Sequence, residues 1–231
     1  MACILHIETA TDVCSVALAE AGQVLAWREE QFQHHNDHSR NLTLFIQECL
    51  GKAGKTLEEL KAVAVSSGPG SYSSLRVGTS VAKGICYALD IPLIGIDTLQ
   101  ALALAAQRAM PIDGALYIPM IDARRMEVYY RIFDDTNSAL TEAGNLVLTE
   151  DAFSKYFSEG KTLVFTGNGA QKAQQLRSHP KARFADLQTS ARHLVELTFL
   201  KYQNQQFEDL AYFAPFYLKP PNITTPRKRA F

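Results

Sequence analysis

A glycine-rich turn between two apolar segments constrains the fold of this chain more than any other feature. The run S-S-G-P-G-S-Y-S-S-L-R-V-G occupies residues 66–78, after an apolar stretch at Lys61–Val65 and before a proline-free stretch at Ser73–Leu89. The first stretch predicts a buried strand and the second predicts a helix. A strand, a loop and a helix in this order place backbone N–H groups and a helix N-terminus around an anion.

This turn matches neither of the two common phosphate-binding loops. A Walker loop ends in Gly-Lys-Ser/Thr, whereas Leu75 and Arg76 stand nearby in this chain. The dinucleotide-binding fingerprint needs a third small residue, and after Gly68 and Gly70 the residue at that position is Ser73. The turn therefore indicates a different lineage of nucleotide-binding folds.

Composition and charge are those of an ordinary globular protein. Of the 231 residues, 47% are hydrophobic and 20% are charged, and the formal net charge is −1. A standalone nucleic-acid binder usually carries a basic excess, so this class is disfavoured. The four cysteines contain no C-x-x-C pair, which is typical of reduced thiols in the cytoplasm. We predict neither a signal peptide nor a membrane span, and we expect a cytoplasmic protein.

The order of the predicted elements repeats in two halves. The first half reads as strands at 3–7, 13–19 and 24–32, a helix at 39–53, a strand at 61–66, a helix at 73–89, a strand at 92–96 and a helix at 97–108. The second half reads as strands at 116–121, 127–133 and 140–148, a helix from 150, a strand at 162–166, a helix after 169 and a helix at 190–202. Although the halves share no visible identity, this order predicts an internal duplication.

Three meandering strands followed by α-β-α, occurring twice, resemble the duplicated ribonuclease-H-like α/β fold of the actin, sugar-kinase and heat-shock-chaperone superfamily. Within that superfamily, seven motifs in order resemble the TsaB (YeaZ) family, a subunit of the bacterial machinery that makes threonylcarbamoyladenosine in tRNA. They are I-E-T-A-T-D-V-C-S-V-A-L at 7–18, H-S-R at 38–40, S-G-P-G-S-Y-S-S-L-R-V-G at 67–78, I-P-L-I-G-I-D-T-L at 91–99, D-A-R-R-M-E-V-Y at 122–129, T-G-N-G-A at 166–170 and P-F-Y-L-K-P-P at 215–221.

The resemblance implies two lobes and includes two departures. We expect an N-terminal lobe at residues 1–108 and a C-terminal lobe at 109–231, with residues from about 205 packing back on the first lobe. Glu8 stands where the family usually has aspartate, and Tyr72-Ser73-Ser74 replaces the end of the family's S-F-T-G sequence. The absence of glycine at position 74 tightens any close backbone approach there.

Two positions argue against catalysis by this chain. The resemblance implies that the catalytic paralogue, TsaD (Gcp), binds its metal through H-x-x-x-H, with both histidines on one helix face. The corresponding residues here are Thr98 and Leu102, and leucine cannot ligate a metal. A second H-x-x-x-H, at His34–His38, precedes the first helix among plausible N-cap residues, so we favour a hydrogen-bonding loop. We therefore predict no metal site, no cofactor and no catalytic residue.

Three further features favour structural roles over catalysis. Ser67 is more typical of a turn hydroxyl than of a nucleophile, since the chain has no G-x-S-x-G motif. Asp122 and Glu127 are candidates for a carboxylate pair, but no triad partner is nearby, and a charged turn at 124–125 is favoured. The glycines at 167 and 169 favour a tight turn over a phosphate cradle.

A degenerate nucleotide loop is the one ligand site that the sequence suggests. It comprises Thr9, Thr11, Gly68 and Gly70, because threonine hydroxyls and glycine N–H groups can bind phosphate. The loop lacks a lysine and a recognisable set of magnesium ligands. We therefore expect weak or no nucleotide binding by the isolated chain.

The predicted helix after the glycine turn is a candidate partner surface. On a helical wheel its apolar arc spans roughly 200°, twice the width of a single core-facing stripe. Either the domain covers both sides of the helix or one side binds another chain, and the wheel does not decide between them. The resemblance favours a partner, since TsaB-type subunits pair with TsaD through helices of this lobe. The candidate interface residues are Leu75, Gly78, Ala82, Ile85 and Leu89, with Leu75 and Ala82 placed near the far edge of the arc.

The combined prediction is a noncatalytic scaffold subunit. The resemblance implies a TsaD-type catalytic subunit and a TsaE-type ATPase as partners, with tRNA reached only through the complex, for N6-threonylcarbamoylation of the adenosine next to the anticodon. Homodimerisation of the isolated chain is left open, and the basic residues Arg227, Lys228 and Arg229 have no assigned contact. The alternative is a self-sufficient metalloprotease-like or nucleotide-hydrolysing enzyme of the same superfamily.

Overall fold

The computed structural model describes residues 2–32, 36–176 and 179–219. Its first half contains, in order, β1 (Cys3–Glu8), β2 (Val13–Glu20), β3 (Gln23–Gln31), α1 (Asn36–Ala53), β4 (Leu60–Gly68), α2 (Tyr72–Leu89), β5 (Leu93–Asp97) and α3 (Thr98–Ala109). A single 3-10 turn at Leu57–Glu59 precedes β4. These elements agree with the predicted ones to within three residues at each end.

The second half has the same order of elements, but several are shorter than predicted. It contains β6 (Leu116–Asp122), β7 (Glu127–Tyr130), β8 (Gly144–Val147), α4 (Ser154–Ser158), β9 (Leu163–Thr166), α5 (Ala170–Leu176), β10 (Ala182–Ala185) and α6 (Ala191–Gln203). The predicted strand at 140–148 was too long, and β10 was not predicted. Because β10 has only four residues, its sequence carries almost no periodic signal.

The two halves build sheets of identical topology. The first sheet has the order β3-β2-β1-β4-β5, and the second has the matching order β8-β7-β6-β9-β10. In each sheet the first three strands are antiparallel and the last two run parallel to the first. This duplication confirms the predicted two-lobed ribonuclease-H-like α/β architecture. We call β1–β5 with α1–α3 the first lobe, and β6–β10 with α4 and α5 the second lobe.

The first sheet is buried on both faces, which explains its apolar strands. On one face, Leu5 and Ile7 of β1 pack with the apolar sides of α1 and α2. On the other face, Ile4 of β1 and the alanines of β4 pack against α3 and α6. Alanine side chains at this face let a helix approach closely. No helix in the described segments is long and apolar enough to cross a bilayer.

The chain returns to the first lobe after β10. Helix α6 lies on the first sheet, where Leu194 packs with Ile94 and Ile96. Further on, the Glu208 N–H donates to the Leu93 carbonyl at 2.9 Å, and Lys83 of α2 donates to the carbonyls of Ala211 and Phe213. The predicted boundary after residue 108 coincides with the end of α3, but α6 packs with the first lobe although it follows that boundary. The division into domains stays a prediction.

Two glycines of α2 allow a matched test of this packing. A Cβ added at Gly78 would lie 2.3 Å from the Thr9 hydroxyl oxygen, whereas one added at Gly84 would meet no atom within 4 Å. We expect Gly78→Ala to lower the free energy of unfolding by about 1–3 kcal/mol through overpacking. Gly84→Ala should raise it by up to about 1 kcal/mol, because alanine is the better helix former. Urea denaturation of both variants measures the difference. Equal changes in the free energy of unfolding would show that α2 does not pack against the turn after β1.

Candidate functional site

The candidate loop residues converge where the parallel strands of the first sheet end. The turn after β1 packs directly on the glycine loop after β4, and the Ser71 N–H donates to the Ala10 carbonyl at 2.7 Å. A Cβ on Gly70 would lie 2.3 Å from the same carbonyl oxygen. Glycine at this position therefore allows the two turns to touch, rather than leaving a cradle open for phosphate.

Both candidate threonines use their hydroxyls within the protein. The Thr9 hydroxyl donates to the Ser74 carbonyl at 2.9 Å, and the hydroxyls of Thr11 and Thr189 are 2.7 Å apart. Thr9 and Thr11 are both buried. A phosphate would have to displace these contacts in order to reach either hydroxyl. The structure thus brings the predicted residues together, but in a closed arrangement.

The C-terminal segment covers the other side of the glycine loop. The Phe216 N–H donates to the Ser67 carbonyl at 2.7 Å, and the Tyr217 ring packs on Tyr72 with centroids 4.6 Å apart. Gly68, at φ +106°, leaves no room for a side chain, since a Cβ there would lie 2.4 Å from the Phe216 carbonyl oxygen. The sequence predicted that residues from about 205 pack back on the first lobe but not that they cover the glycine loop, although aromatic residues at 216 and 217 are a signal of packing.

A buried carboxylate lies under the turn after β1. Glu8 is 1% exposed, and the Ala10 N–H donates to its Oε1 at 2.6 Å. Burial raises the pKa of Glu8 to about 7, and the hydrogen bonds from the Ala10 backbone and the Ser66 side chain only partly oppose this rise. His6 lies on the same strand, where burial lowers its pKa to about 4. Near neutral pH, Glu8 is therefore the group of this pair that titrates.

Thr98 and Leu102 lie at the junction of the two lobes. They are one helical turn apart on α3, and each is 1% exposed. Leu102 packs against the second lobe, where a Cβ on Gly167 would lie 2.7 Å from Leu102 Cδ2. Asp97 caps the N-terminus of α3 and pairs with Arg131 of the second lobe at 3.3 Å. An apolar contact and an ion pair thus connect the two lobes.

The remaining candidate residues have structural partners. Asp122 pairs with Lys172 at 2.6 Å, and Glu127 pairs with Lys219. The turn at 167–169 is tight, with the Gly169 N–H donating to the Met120 carbonyl at 3.0 Å. The described part of the chain holds no cluster of three or more metal-ligating side chains.

Two predicted features fall partly or wholly outside the described residues. His34 and His35 lie there, so the predicted H-x-x-x-H loop is not described. His38 is described, and it is buried in α1 beside Phe32. The basic residues Arg227, Lys228 and Arg229 also lie outside the described residues.

The placement of α2 corrects part of the predicted partner surface. Leu75 and Ala82 have no exposed surface, and Gly78 is buried against Thr9. The prediction that Leu75 and Ala82 lie at the outer edge of the apolar arc, where a partner could reach them, is wrong, because the turn after β1 and the first sheet cover them. Ile85 and Leu89 are half-buried against the same core. The exposed side of α2 instead carries Ser73, Arg76, Ser80, Gly84, Tyr87 and Ala88.

Known proteins resemble this chain in sequence and in fold. Residues 33–225 match the family model described as TsaD: tRNA N6-adenosine threonylcarbamoyltransferase. The tRNA threonylcarbamoyladenosine biosynthesis protein TsaB of Escherichia coli (strain K12) is 37% identical over 128 residues, which cover 55% of this chain and 53% of the relative. The TsaB protein of Bacillus subtilis (strain 168) is 26% identical over 221 residues, which cover 94% and 93%.

The matches differ in how much of each known protein they cover, and a solved structure has the same fold. The chain spans about half the length of the first curated relatives that it matches. The structure of YeaZ from Pseudomonas aeruginosa has a TM-score of 0.77 at 24% identity and covers 94% of this chain and 100% of that one. The likeness of the structures shows a shared fold.

The titration of Glu8 predicts a pH-dependent stability. Its folded pKa of about 7 exceeds the ordinary value of 4.5, so the stability that it contributes is present below pH 4.5 and is lost as pH rises through 7. Glu8→Gln keeps an acceptor for the Ala10 N–H and cannot ionise. Between pH 5 and pH 8, we expect the wild type to lose about 3 kcal/mol of unfolding free energy relative to this variant. Denaturant titrations at both pH values measure this loss.

The exposed control Glu159→Gln should have the same pH dependence of stability as wild type. Parallel pH profiles for wild type and Glu8→Gln would rule out the titration of a buried Glu8.

The closed loop predicts weak nucleotide binding. Thr9, Thr11 and Gly70 are each engaged within the protein, so a nucleotide phosphate would have to break hydrogen bonds and separate two packed turns. We expect titration calorimetry with ATP and magnesium to show weak or undetectable binding by the isolated chain. A submicromolar dissociation constant would mean that the loop opens readily and is a working site.

Proposed function

Because this chain belongs to the TsaD family, and within it to the TsaB (YeaZ) branch, we propose that it is a noncatalytic subunit of the enzyme that makes threonylcarbamoyladenosine in tRNA. It pairs with a TsaD-type catalytic subunit and holds that subunit in its productive state. A TsaE-type ATPase acts with the pair. The substrate is the adenosine next to the tRNA anticodon, which this subunit reaches only within the complex. A cytoplasmic location follows from this substrate.

The observation that carries the proposal is the leucine at position 102. By its resemblance to the family, this chain has Thr98 and Leu102 at the positions where the catalytic paralogue has two metal-binding histidines. Leu102 has no lone pair for a metal, and it packs against Gly167 at the lobe junction. The names of the TsaB relatives, "biosynthesis protein" rather than transferase, support the same assignment. The closed glycine loop disfavours the alternative of a nucleotide hydrolase.

The outer surface of α1 and α2 is the proposed partner face. It comprises exposed residues of both helices: Leu44, Gly51, Ser80, Gly84, Tyr87 and Ala88. Tyr87 is 84% exposed and Leu44 is 51% exposed, so this face presents apolar surface from both helices. A Cβ added at Gly51 or Gly84 would meet nothing within 4 Å, so another helix has room to approach closely.

The match to the TsaD model supports a partner with the same helices. That match covers residues 33–225, which include α1 and α2. A TsaD-type subunit therefore has counterparts of both helices, and the two subunits can pair through them about a pseudo-twofold axis. The same geometry makes homodimerisation of the isolated chain the competing association.

Reconstitution tests the noncatalytic role. The purified chain, given threonylcarbamoyl-adenylate, a divalent metal and unmodified tRNA, should transfer no threonylcarbamoyl group, because it lacks the paralogue's ligand pair. Adding the TsaD-type and TsaE-type subunits should give turnover that depends on this chain. Multiple turnover by the chain alone would contradict the proposal, as would full activity of the other subunits without it.

Substitutions on α2 test the partner face. Ser80 and Gly84 are both exposed, so Ser80→Glu and Gly84→Glu each place a carboxylate on this face. Burying an unpaired charge at an interface costs several kcal/mol, so we expect affinity for the TsaD-type subunit to fall by orders of magnitude. Isothermal titration measures this affinity, and the melting temperature of each isolated variant should stay close to that of wild type.

A control on another helix separates the partner face from a general effect of charge. Gln174→Glu adds one charge to an exposed position of α5 and should leave partner binding unchanged. Leu75→Glu and Ala82→Glu would instead unfold the chain, because both side chains are fully buried. If Ser80→Glu and Gly84→Glu bind the partner as tightly as Gln174→Glu does, the interface lies elsewhere.

A further inference from the structure

A line of basic and aromatic side chains runs from α2 to the β6–β7 hairpin. We call it the basic strip, and it consists of Arg76, Tyr72, Tyr217, Lys219, Lys172, Arg124 and Arg125. At the α2 end of the strip, the Arg76 guanidinium lies 5.6 Å from the Tyr72 ring centroid, and the ring centroids of Tyr72 and Tyr217 are 4.6 Å apart. Lys219 then pairs with Glu127 at the start of β7.

The hairpin tip holds two exposed arginines in an unfavourable backbone conformation. Arg124 has φ +71° and Arg125 has φ +53°, and tight turns with this geometry usually contain Asn or Gly. Asp122 fixes the turn, since its Oδ1 accepts the Arg124 N–H at 2.6 Å. Neither guanidinium forms a hydrogen bond or an ion pair with a described residue. The tip therefore presents two cationic side chains that the fold does not use.

The two lysines of the basic strip pair with the nearby carboxylates, so the positive charges of the two tip arginines remain available to a ligand. Lys172 pairs with Asp122, and it also donates to the Glu127 carbonyl at 3.2 Å. Lys219 pairs with the Glu127 carboxylate. Both acidic side chains at the base of the hairpin are thus neutralised by lysines, and no other carboxylate of the described residues pairs with Arg124 or Arg125. The strip contains five basic residues against these two acidic ones.

We propose that the basic strip binds the phosphodiester backbone of RNA. Arginine guanidinium groups bind phosphate oxygens through paired N–H donors, and aromatic rings beside them are a common feature of RNA-binding surfaces. The choice of RNA over another polyanion rests on the proposed function, since the relatives are named for work on tRNA. Because the net charge of the chain is −1, the strip is a local binding surface whose affinity falls steeply with salt: the chain alone binds RNA only at low salt, and at higher salt RNA binding needs the complex.

The position of the strip explains how it acts within the complex. Arg76 lies near the N-terminal end of α2, so the strip begins beside the proposed partner face. An RNA held by the partner subunit can therefore continue along the strip to the hairpin tip. The contacts are with phosphates and carry no base specificity.

Charge-removing variants at the tip test the proposal. The probe is an unmodified, fluorescently labelled tRNA transcript, and its anisotropy is measured over a salt series with the 231-residue chain alone and with its complex with the TsaD-type subunit. We expect Arg124→Gln/Arg125→Gln to weaken binding about tenfold at low salt and to lower the log–log salt slope by about 1.5–2. Arg124→Lys/Arg125→Lys should recover the slope.

The matched control removes two exposed charges at the opposite end of the second sheet. The control variant is Lys155→Gln/Lys161→Gln. Lys155 lies in α4 and Lys161 follows that helix, next to Thr162, whose carbonyl accepts the N–H of the first residue of β6. The hairpin tip lies beyond the last residue of β6. These changes should alter RNA affinity by less than about twofold. Melting temperatures of all variants report folding, and titration with the TsaD-type subunit reports partner binding separately.

Two results from the variants would overturn the RNA site: equal RNA affinity of the tip and control variants, or a lysine variant whose salt slope stays as low as that of the glutamine variant. A tip variant that loses partner binding but keeps RNA binding would also overturn it. So would a wild type that does not bind the transcript at low salt, either alone or in the complex. If the partner does not bind at all, the proposed function fails. The measurements with the chain alone still decide the strip.

Discussion

The contact between the turn after β1 and the glycine loop after β4 determines most of this structure. The Ser71 N–H donates to the Ala10 carbonyl, and the Thr9 hydroxyl donates to the Ser74 carbonyl. Both bonds need glycine at positions 70 and 78, where any side chain would collide with Ala10 or Thr9. This contact fixes the direction of α2 and closes the loop. A strand, loop and helix that could bind phosphate in another protein here form a packed joint.

Direct contacts also join the two lobes. Leu102 of α3 packs against Gly167 of the second lobe, and the Asp97–Arg131 ion pair lies beside this contact. Residues 216 and 217 add a covering layer over the glycine loop. The proposed role follows from these contacts together, since the side chains of this duplicated α/β fold contact one another at the glycine loop and at the lobe junction. The surfaces left for interaction lie on the outside, at α1, α2 and the β6–β7 hairpin.

Sequence patterns predicted the first lobe well because its strands and helices are long and clearly periodic. Thr9, Thr11, Gly68 and Gly70 were grouped as one candidate loop through the family resemblance and the chemistry of their hydroxyl and N–H groups. Sequence patterns could not show that these residues are packed together, because the distances depend on contacts between residues 57 or more apart in the chain. The helical wheel of α2 indicated two apolar sides but not which one is covered. As a result, Leu75 and Ala82 were placed outside when they belong to the core. The four-residue strand β10 and the segment at 207–219 have no hydrophobic periodicity from which their contacts could be predicted.

Hydrogen–deuterium exchange tests the central claim most directly, that the chain is a pairing subunit with a closed glycine loop. Exchange would be measured for the chain alone, with ATP and magnesium, and with the TsaD-type subunit. The account predicts that the partner slows exchange in peptides from Asn36–Ala53 and Tyr72–Leu89, and that ATP leaves residues 66–71 of the isolated chain unchanged. Slower exchange at residues 66–71 with ATP, together with no change in either helix on adding the partner, would contradict it.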